Sequence, residues 1–134
     1  MDVISAKEVR EILTGLWPQL RHIWIFDRRL TLVPFSKAKE ILQKSTIRNE
    51  MFKDELFDCD DFALVTNAMI KVKTAKLKLK YPWAFGEAAM IQTDLIIHNQ
   101  NILITDNLRV KLYEPQTGAF IEPGHGENLF YVRM

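Results

Sequence analysis

Apolar positions near the start of the chain recur at helical spacing after a capping signal. Ser5 followed by Glu8 is typical of a capping box, in which the hydroxyl and the carboxylate each satisfy a free backbone amide. Apolar residues then recur at three- and four-residue intervals between Val9 and Leu16. The pattern predicts a first helix that ends near Trp17, just before Pro18.

A second helical pattern begins at Cys59. Asp58 precedes it and is a residue type favoured at the N-cap position. One apolar stripe at helical spacing follows, made by Phe62, Val65, Met69 and Val72. We therefore expect a central helix that starts at Cys59 and buries this stripe.

Shorter elements are predicted between the two helices. Ile23–Phe26 and Leu30–Val33 have the composition of short strands, and Ser36 is placed to cap a short helix. Residues 45–56 are polar and mixed, which favours a loop.

The pattern becomes that of strands in the second half of the chain. Ala88–Ile97 and Ile102–Thr105 are largely apolar, and Asp106-Asn107 favours a hairpin turn between strands. Helices first and strands afterwards predict an α+β fold, with a helical N-terminal half whose central helix packs on a C-terminal antiparallel sheet.

Composition limits the classes of function. The 134 residues fit one domain spanning positions 1–134, and 48% hydrophobic residues suffice for a core. A formal net charge of +1 gives no general attraction to nucleic acid or anionic membranes. No apolar run approaches the roughly 20 residues of a membrane span. With one cysteine and no signal-peptide pattern, we expect a cytoplasmic protein, of a kind that suits a bacterium or a bacteriophage.

The lone cysteine is the first candidate for chemistry. A thiol becomes nucleophilic when its pKa is lowered, and a helix N-terminus or an adjacent imidazolium has that effect. Cys59 starts the predicted helix, and His98 follows an apolar strand in the sheet half. The histidine then needs an orienting acceptor, for which Glu114 is the leading candidate, with Asn101 and Gln116 as alternates.

Acidic residues around the cysteine act against activation. Asp58, Asp60 and Asp61 bring negative charge close to Cys59, and this charge raises a thiol pKa. A divalent cation would offset them, and oxygen ligands favour calcium. We expect a calcium site formed by Asp60, Asp61 and Gln116, with Glu114 and Asn101 as further oxygen donors. Calorimetry that detects no calcium binding at millimolar concentration would reject it.

The segment from Phe57 to Gln116 resembles a known family. Cys59-Asp60-Asp61-Phe62-Ala63, the His98-x-x-Asn101 spacing and Glu114-Pro115-Gln116 are similar to the C-terminal domain of a fungal galactose-binding agglutinin. The resemblance implies a papain-like fold and a calcium-dependent cysteine protease, with Cys59 as nucleophile, His98 as base and Glu114 orienting the imidazole. The lectin module of the agglutinin is absent, so its sugar binding is not expected here.

These residues lead to a main expectation and two alternatives. The main one is a papain-like cysteine hydrolase that cleaves peptide or amide bonds through Cys59, His98 and Glu114, with a peptide or protein as substrate. The first alternative is a non-catalytic peptide- or protein-binding module on the same scaffold. The second is an acyl transferase, which incorporation of an amine would identify. A packed, unreactive Cys59 would favour the binding module.

Overall fold

The computed structural model describes residues 2–54, 56–92, 96–124 and 126–134. The helices are α1 (Ala6–Leu16), α2 (Phe35–Gln43) and α3 (Cys59–Thr74), with a 3₁₀ helix at Ile47–Asn49. The strands are β1 (Val3–Ser5), β2 (His22–Trp24), β3 (Arg29–Thr31), β4 (Phe85–Ile91), β5 (Ile97–Ile104), β6 (Val110–Glu114), β7 (Ala119–Ile121) and β8 (Leu129–Arg133). Among these described elements, none is a helix long and apolar enough to cross a membrane.

Helix α1 begins where the sequence predicts. The Ser5 hydroxyl accepts a hydrogen bond from the Glu8 amide at 3.2 Å, and the Glu8 carboxylate accepts one from the Ser5 amide at 2.8 Å. Val9 and Leu13 point into the core and are fully buried. The predicted capping box is therefore confirmed.

The main sheet is mixed, with strand order β2-β8-β4-β5-β6-β7. Strand β2 pairs in parallel with β8, whereas the other neighbours pair in antiparallel fashion. A second sheet joins β1 to β3. The prediction of a helical N-terminal half on a C-terminal antiparallel sheet, in a papain-like arrangement, is wrong. The N-terminal half contributes three strands, and one of them enters the main sheet beside the C-terminal strand.

Helix α3 packs across β4 and β5, but on a more polar face than predicted. Its buried residues are Phe62, Ala63, Thr66, Asn67, Ile70 and Thr74. Val72 of the predicted stripe is 63% exposed. The reason is a polar contact: the Asn67 side chain donates a hydrogen bond to Glu87 on β4 at 2.9 Å. An apolar pattern cannot identify a face that is held partly by polar groups.

The predicted strand from Ala88 to Ile97 covers two strands. It contains the end of β4 and the first residue of β5, and residues 93–95 lie outside the described ranges. The two strands pair in antiparallel register from Phe85↔Leu103 to Ile91↔Ile97. This hairpin brings the polar residues at the start of β5 beside the start of α3.

Candidate functional site

Cys59 is the first residue of α3 and is half-buried against β5. Its thiol lies 3.9 Å from the backbone carbonyl oxygen of Ile97 and donates toward it. Burial raises the pKa of this thiol, and the charges of Asp58 and Asp60 raise it further. Backbone amides of Asn99 and Asp60 act in the opposite direction without offsetting the rise. The thiol form is therefore favoured at neutral pH.

His98 and Glu114 form the best-defined polar contact of the site. His98 Nε2 lies 2.6 Å from Glu114 Oε2, and both side chains are largely buried, with 20% and 13% of their surface exposed. Burial alone would raise the pKa of Glu114, but hydrogen bonds from His98, Gln100 and the Gln116 amide lower it overall. The carboxylate is thus ionised at neutral pH, which favours a proton on Nε2 of the imidazole.

Gln100 completes this network, and the sequence reasoning did not identify it. Its Nε2 donates to Glu114 Oε2 at 3.0 Å. Gln100 pairs with Ala88 on one side, and one residue separates it from His98 along the strand. Because side chains alternate along a strand, His98 and Gln100 share one face of β5 and both reach Glu114. The two-residue spacing of His98 and Gln100 in a predicted strand was the feature of the sequence that could have identified Gln100.

The thiol and the imidazole have different partners. Within the described ranges, the thiol contacts backbone groups of β5, and His98 contacts Glu114. No hydrogen bond between Cys59 and His98 is found among these residues. Glu114 holds the imidazole of His98, while the thiol of Cys59 is directed to the backbone of β5.

Asn101, predicted as an alternate site residue, makes contacts that stabilise the fold. It is fully buried, and its Nδ2 donates to the Ala63 carbonyl oxygen at 2.9 Å and to the Gly86 carbonyl oxygen at 3.1 Å. The side chain therefore connects α3 to β4 through β5. The other alternate, Gln116, contacts the site through its backbone amide, which donates to Glu114 Oε1 at 3.1 Å.

Carboxylates cluster at the start of α3. Asp58, Asp60 and Asp61 each offer an oxygen, and these oxygens lie within 4.8 Å of one another. A hydrogen bond with Asp58 raises the pKa of Asp60, as do its partial burial and the charge of Asp58. The cluster has the oxygen chemistry that calcium prefers. Asp60 and Asp61 of the predicted calcium ligands belong to it.

Exposed apolar side chains flank the site. Ile97, whose carbonyl group accepts from the thiol, has 54% of its surface exposed, and Ile96 and Leu56 are also exposed. Isolated exposed apolar residues are common on protein surfaces, but these belong to the two segments that meet at Cys59. Because side chains alternate along a strand, Ile97 lies on the other face of β5 from His98 and Gln100, so these apolar groups border the polar network and do not line it.

Comparison with known proteins shows the family. The sequence model described as "Agglutinin C-terminal" matches residues 31–120, about two thirds of the chain. The chain belongs to the agglutinin C-terminal family. No curated protein sequence matches it.

Two solved structures share the fold of this family member. The "PSL1a-E64 complex" aligns over 98% of this chain and 51% of its own, with a TM-score of 0.85 and 19% identity. Polyporus squamosus lectin "bound to human-type influenza-binding epitope Neu5Aca2-6Galb1-4GlcNAc" aligns over 98% of this chain and 49% of its own, with a TM-score of 0.83 and 19% identity. The chain thus spans about half the length of these structures.

These findings confirm the resemblance to an agglutinin C-terminal domain and correct the activity that was predicted from it. The matching family is named for an agglutinin, and a matching structure is that of a lectin, so the prediction of a papain-like cysteine protease is wrong. The prediction of a hydrolase acting through a thiol nucleophile is corrected with it. Burial and the neighbouring carboxylates also raise the pKa of the Cys59 thiol, and the protonated form that this favours is a poorer nucleophile than the thiolate. The alternative of a non-catalytic binding module agrees better with both observations.

Proposed function

We propose that this member of the agglutinin C-terminal family is a non-catalytic binding module. Its ligand would occupy the surface beside the start of α3, where His98, Gln100 and Glu114 form a fixed polar network. The observation that carries the proposal is the state of Cys59. The thiol is protonated and directed to a backbone carbonyl group, in a site whose other polar groups are held in place.

The ligand class that we propose is a carbohydrate. A sugar presents many hydroxyl groups, each of which donates and accepts, and a rigid set of amide, imidazole and carboxylate groups suits that chemistry. His98 retains an exposed part of its ring for such a contact. The lectin structure with a bound sialylated trisaccharide supports the same class, although this chain corresponds to only half of that protein.

Calorimetry with that trisaccharide tests the proposal. We expect saturable binding to the wild-type chain, and His98→Ala should weaken it by about fivefold, because one direct hydrogen bond is worth roughly 1 kcal/mol. Lys7→Ala, an exposed change on α1, serves as the matched control and should leave affinity unchanged. Absence of binding at millimolar sugar by a folded chain would reject the carbohydrate, as would equal affinity in the His98→Ala variant.

A peptide is the second candidate ligand. The exposed apolar side chains of Leu56, Ile96 and Ile97 favour it, because apolar contacts are common in peptide recognition. Selection from a peptide library discriminates between the two. Enrichment of apolar peptides whose binding is weakened by Ile97→Ser, with no sugar binding, would favour the peptide.

We also propose calcium as a ligand of the carboxylate cluster. Asp60 and Asp61 would bind it with Asp58, and the ion would supply positive charge at a cluster where a hydrogen bond with Asp58, partial burial and the Asp58 charge raise the pKa of Asp60. Calcium should then raise the unfolding temperature of the wild-type chain and have little effect on Asp60→Asn. An equal shift in both proteins, or calorimetry without binding at millimolar calcium, would contradict this site.

A further inference from the structure

Helix α3 has an exposed face whose centre is apolar. Four exposed apolar residues share that side of the helix, and we call them the α3 stripe: Leu64, Val65, Ala68 and Val72. The exposed fractions of Leu64, Val65 and Val72 are 46%, 39% and 63%. Single exposed apolar residues are common, but a row of them along one helix is typical of a surface that contacts a partner.

More exposed apolar side chains lie in the segment that leads to α3. Met51 and Phe52 have exposed fractions of 76% and 54%. They follow the 3₁₀ helix Ile47–Asn49, which packs against α3. The apolar surface around this helix is therefore larger than the α3 stripe itself.

The two ends of α3 carry opposite charges. Asp60 and Asp61 lie in its first turn, whereas Lys71 and Lys73 lie in its last turn and Lys76 follows it. None of these three lysines forms an ion pair within the described part of the chain. This distribution of charge suits the helix dipole, but the dipole does not account for an exposed apolar centre.

The exposed face of α3 is complementary to a second copy of itself in an antiparallel arrangement. A two-fold axis at Ala68 places Leu64 of each chain opposite Val72 of the other, because both lie four positions from Ala68. The same axis places Asp60 opposite Lys76, since each lies eight positions from Ala68. The small alanine at the axis allows the helices to approach closely. A parallel arrangement would instead bring like charges together at both ends.

We propose that the α3 stripe binds a second copy of this chain, as an antiparallel pair of α3 helices centred on Ala68. A helix of 16 residues is about 24 Å long, so the interface lies at the low end of the sizes of specific interfaces. We therefore expect a weak dimer, with a Kd of about 10–100 µM. The interface includes no residue of the His98 and Glu114 network, so it does not depend on the carbohydrate proposal.

Sedimentation equilibrium between about 1 µM and 1 mM chain tests the dimer. We expect the wild-type chain to pass from monomer to dimer across this range. Ala68→Glu places two like charges at the axis and should weaken the dimer by at least about tenfold. Because Ala68 is exposed and glutamate favours a helix, this variant should stay folded, which circular dichroism checks. Gln43→Glu adds the same charge at an exposed position of α2 and should dimerise as wild type does.

Two charge-reversed variants test the antiparallel arrangement, with EDTA present so that calcium does not contribute. Asp60→Lys and Lys76→Glu each bring like charges together at both ends of the helix pair, and each should weaken its own dimer by about fivefold. A mixture of the two variants restores opposite charges at both ends. The mixture should therefore associate about as strongly as the wild-type chain.

Several outcomes would overturn the proposal. It fails if the wild-type chain stays monomeric at about 1 mM, or if Ala68→Glu dimerises as wild type does. It also fails if the mixture associates no better than either charge-reversed variant alone, because the helices would then not be antiparallel. Binding of a monomeric wild-type chain to vesicles of anionic lipid, lost in Ala68→Glu, would replace the self-contact with a membrane-contact surface.

Discussion

At the scale of single residues, the charge environment of Cys59 determines what its thiol does. A helix N-terminus lowers a thiol pKa, but here burial and the neighbouring carboxylates of Asp58 and Asp60 outweigh it. Both effects on the thiol pKa could be predicted from the sequence, because the helix start and the three aspartates can be recognised in it. Their balance depended on how deeply the sulfur is buried, and a sequence does not contain that quantity.

Alkylation by iodoacetamide measures this balance directly. We expect Cys59 to react at pH 7 no faster than the thiol of glutathione, and the rate to keep rising above about pH 9 because the thiol pKa is raised. Mass spectrometry follows the reaction, and Cys59→Ser provides an unlabelled control, since the chain has one cysteine. A rate that exceeds that of glutathione and levels off near neutral pH would contradict the protonated thiol.

The ionised state of Glu114 makes stability depend on pH. Its pKa is lower in the folded chain than its ordinary value of 4.5, because three hydrogen bonds outweigh burial. A lowered folded pKa contributes stability that is present above pH 4.5 and is lost as pH falls through the folded value. We expect Glu114→Gln to lose about 1–2 kcal/mol of unfolding free energy at pH 7.

Urea unfolding at pH 7 and at pH 3 tests this assignment. The difference between wild type and Glu114→Gln should shrink at the lower pH, where the wild-type carboxylate becomes protonated. Glu50→Gln, at an exposed position, should show no such change between the two pH values. If the difference in unfolding free energy between wild type and Glu114→Gln is the same at both pH values, the charge of the Glu114 carboxylate does not contribute to stability.

At the scale of elements, the junction between β4 and β8 depends on a glycine. A Cβ atom at Gly86 would lie 1.9 Å from the carbonyl oxygen of Arg133, so the two backbones approach too closely for any side chain. We expect Gly86→Ala to lose roughly 2–4 kcal/mol, since neighbouring backbone would have to move. Thermal unfolding measures the loss.

Gly15 provides the matched control within the same chain. It lies in α1, and a Cβ atom there would have no neighbour within 4 Å. Gly15→Ala should stabilise the protein by about 0.5–1 kcal/mol, because alanine favours a helix more than glycine does. A gain or no change in stability for Gly86→Ala would show that close strand approach does not restrict this position, since backbone entropy alone favours alanine.

Elements differ in how well the sequence predicts them. The start of α1 is local, since Ser5 and Glu8 make the capping contacts between themselves, and it was predicted correctly. The buried face of α3 depends on a partner twenty positions away, Glu87, which bonds to Asn67. A periodicity analysis of the helix alone selected Val72, which is exposed, and missed Asn67.

At the scale of the whole molecule, the sheet topology was the main error. Order along the chain suggested helices first and an antiparallel sheet afterwards. The pairing of β2 with β8 joins residues far apart in sequence, such as His22 and Tyr131, and no turn signal encodes it. His98 and Glu114 lie on the paired strands β5 and β6, so their contact follows from a hairpin that the sequence signals, whereas their role in a functional site stays a prediction.

The parallel pairing of β2 and β8 also orders events during synthesis. His22 leaves the ribosome long before Tyr131, its partner in the sheet, and β8 must also pair with β4. Strand β2 cannot pair within the main sheet until β8 has been made. Strands β4, β5 and β6, in contrast, have antiparallel neighbours close in sequence. We therefore expect the sheet to form from its middle outward, with β2, the first of its strands in the sequence, joining last.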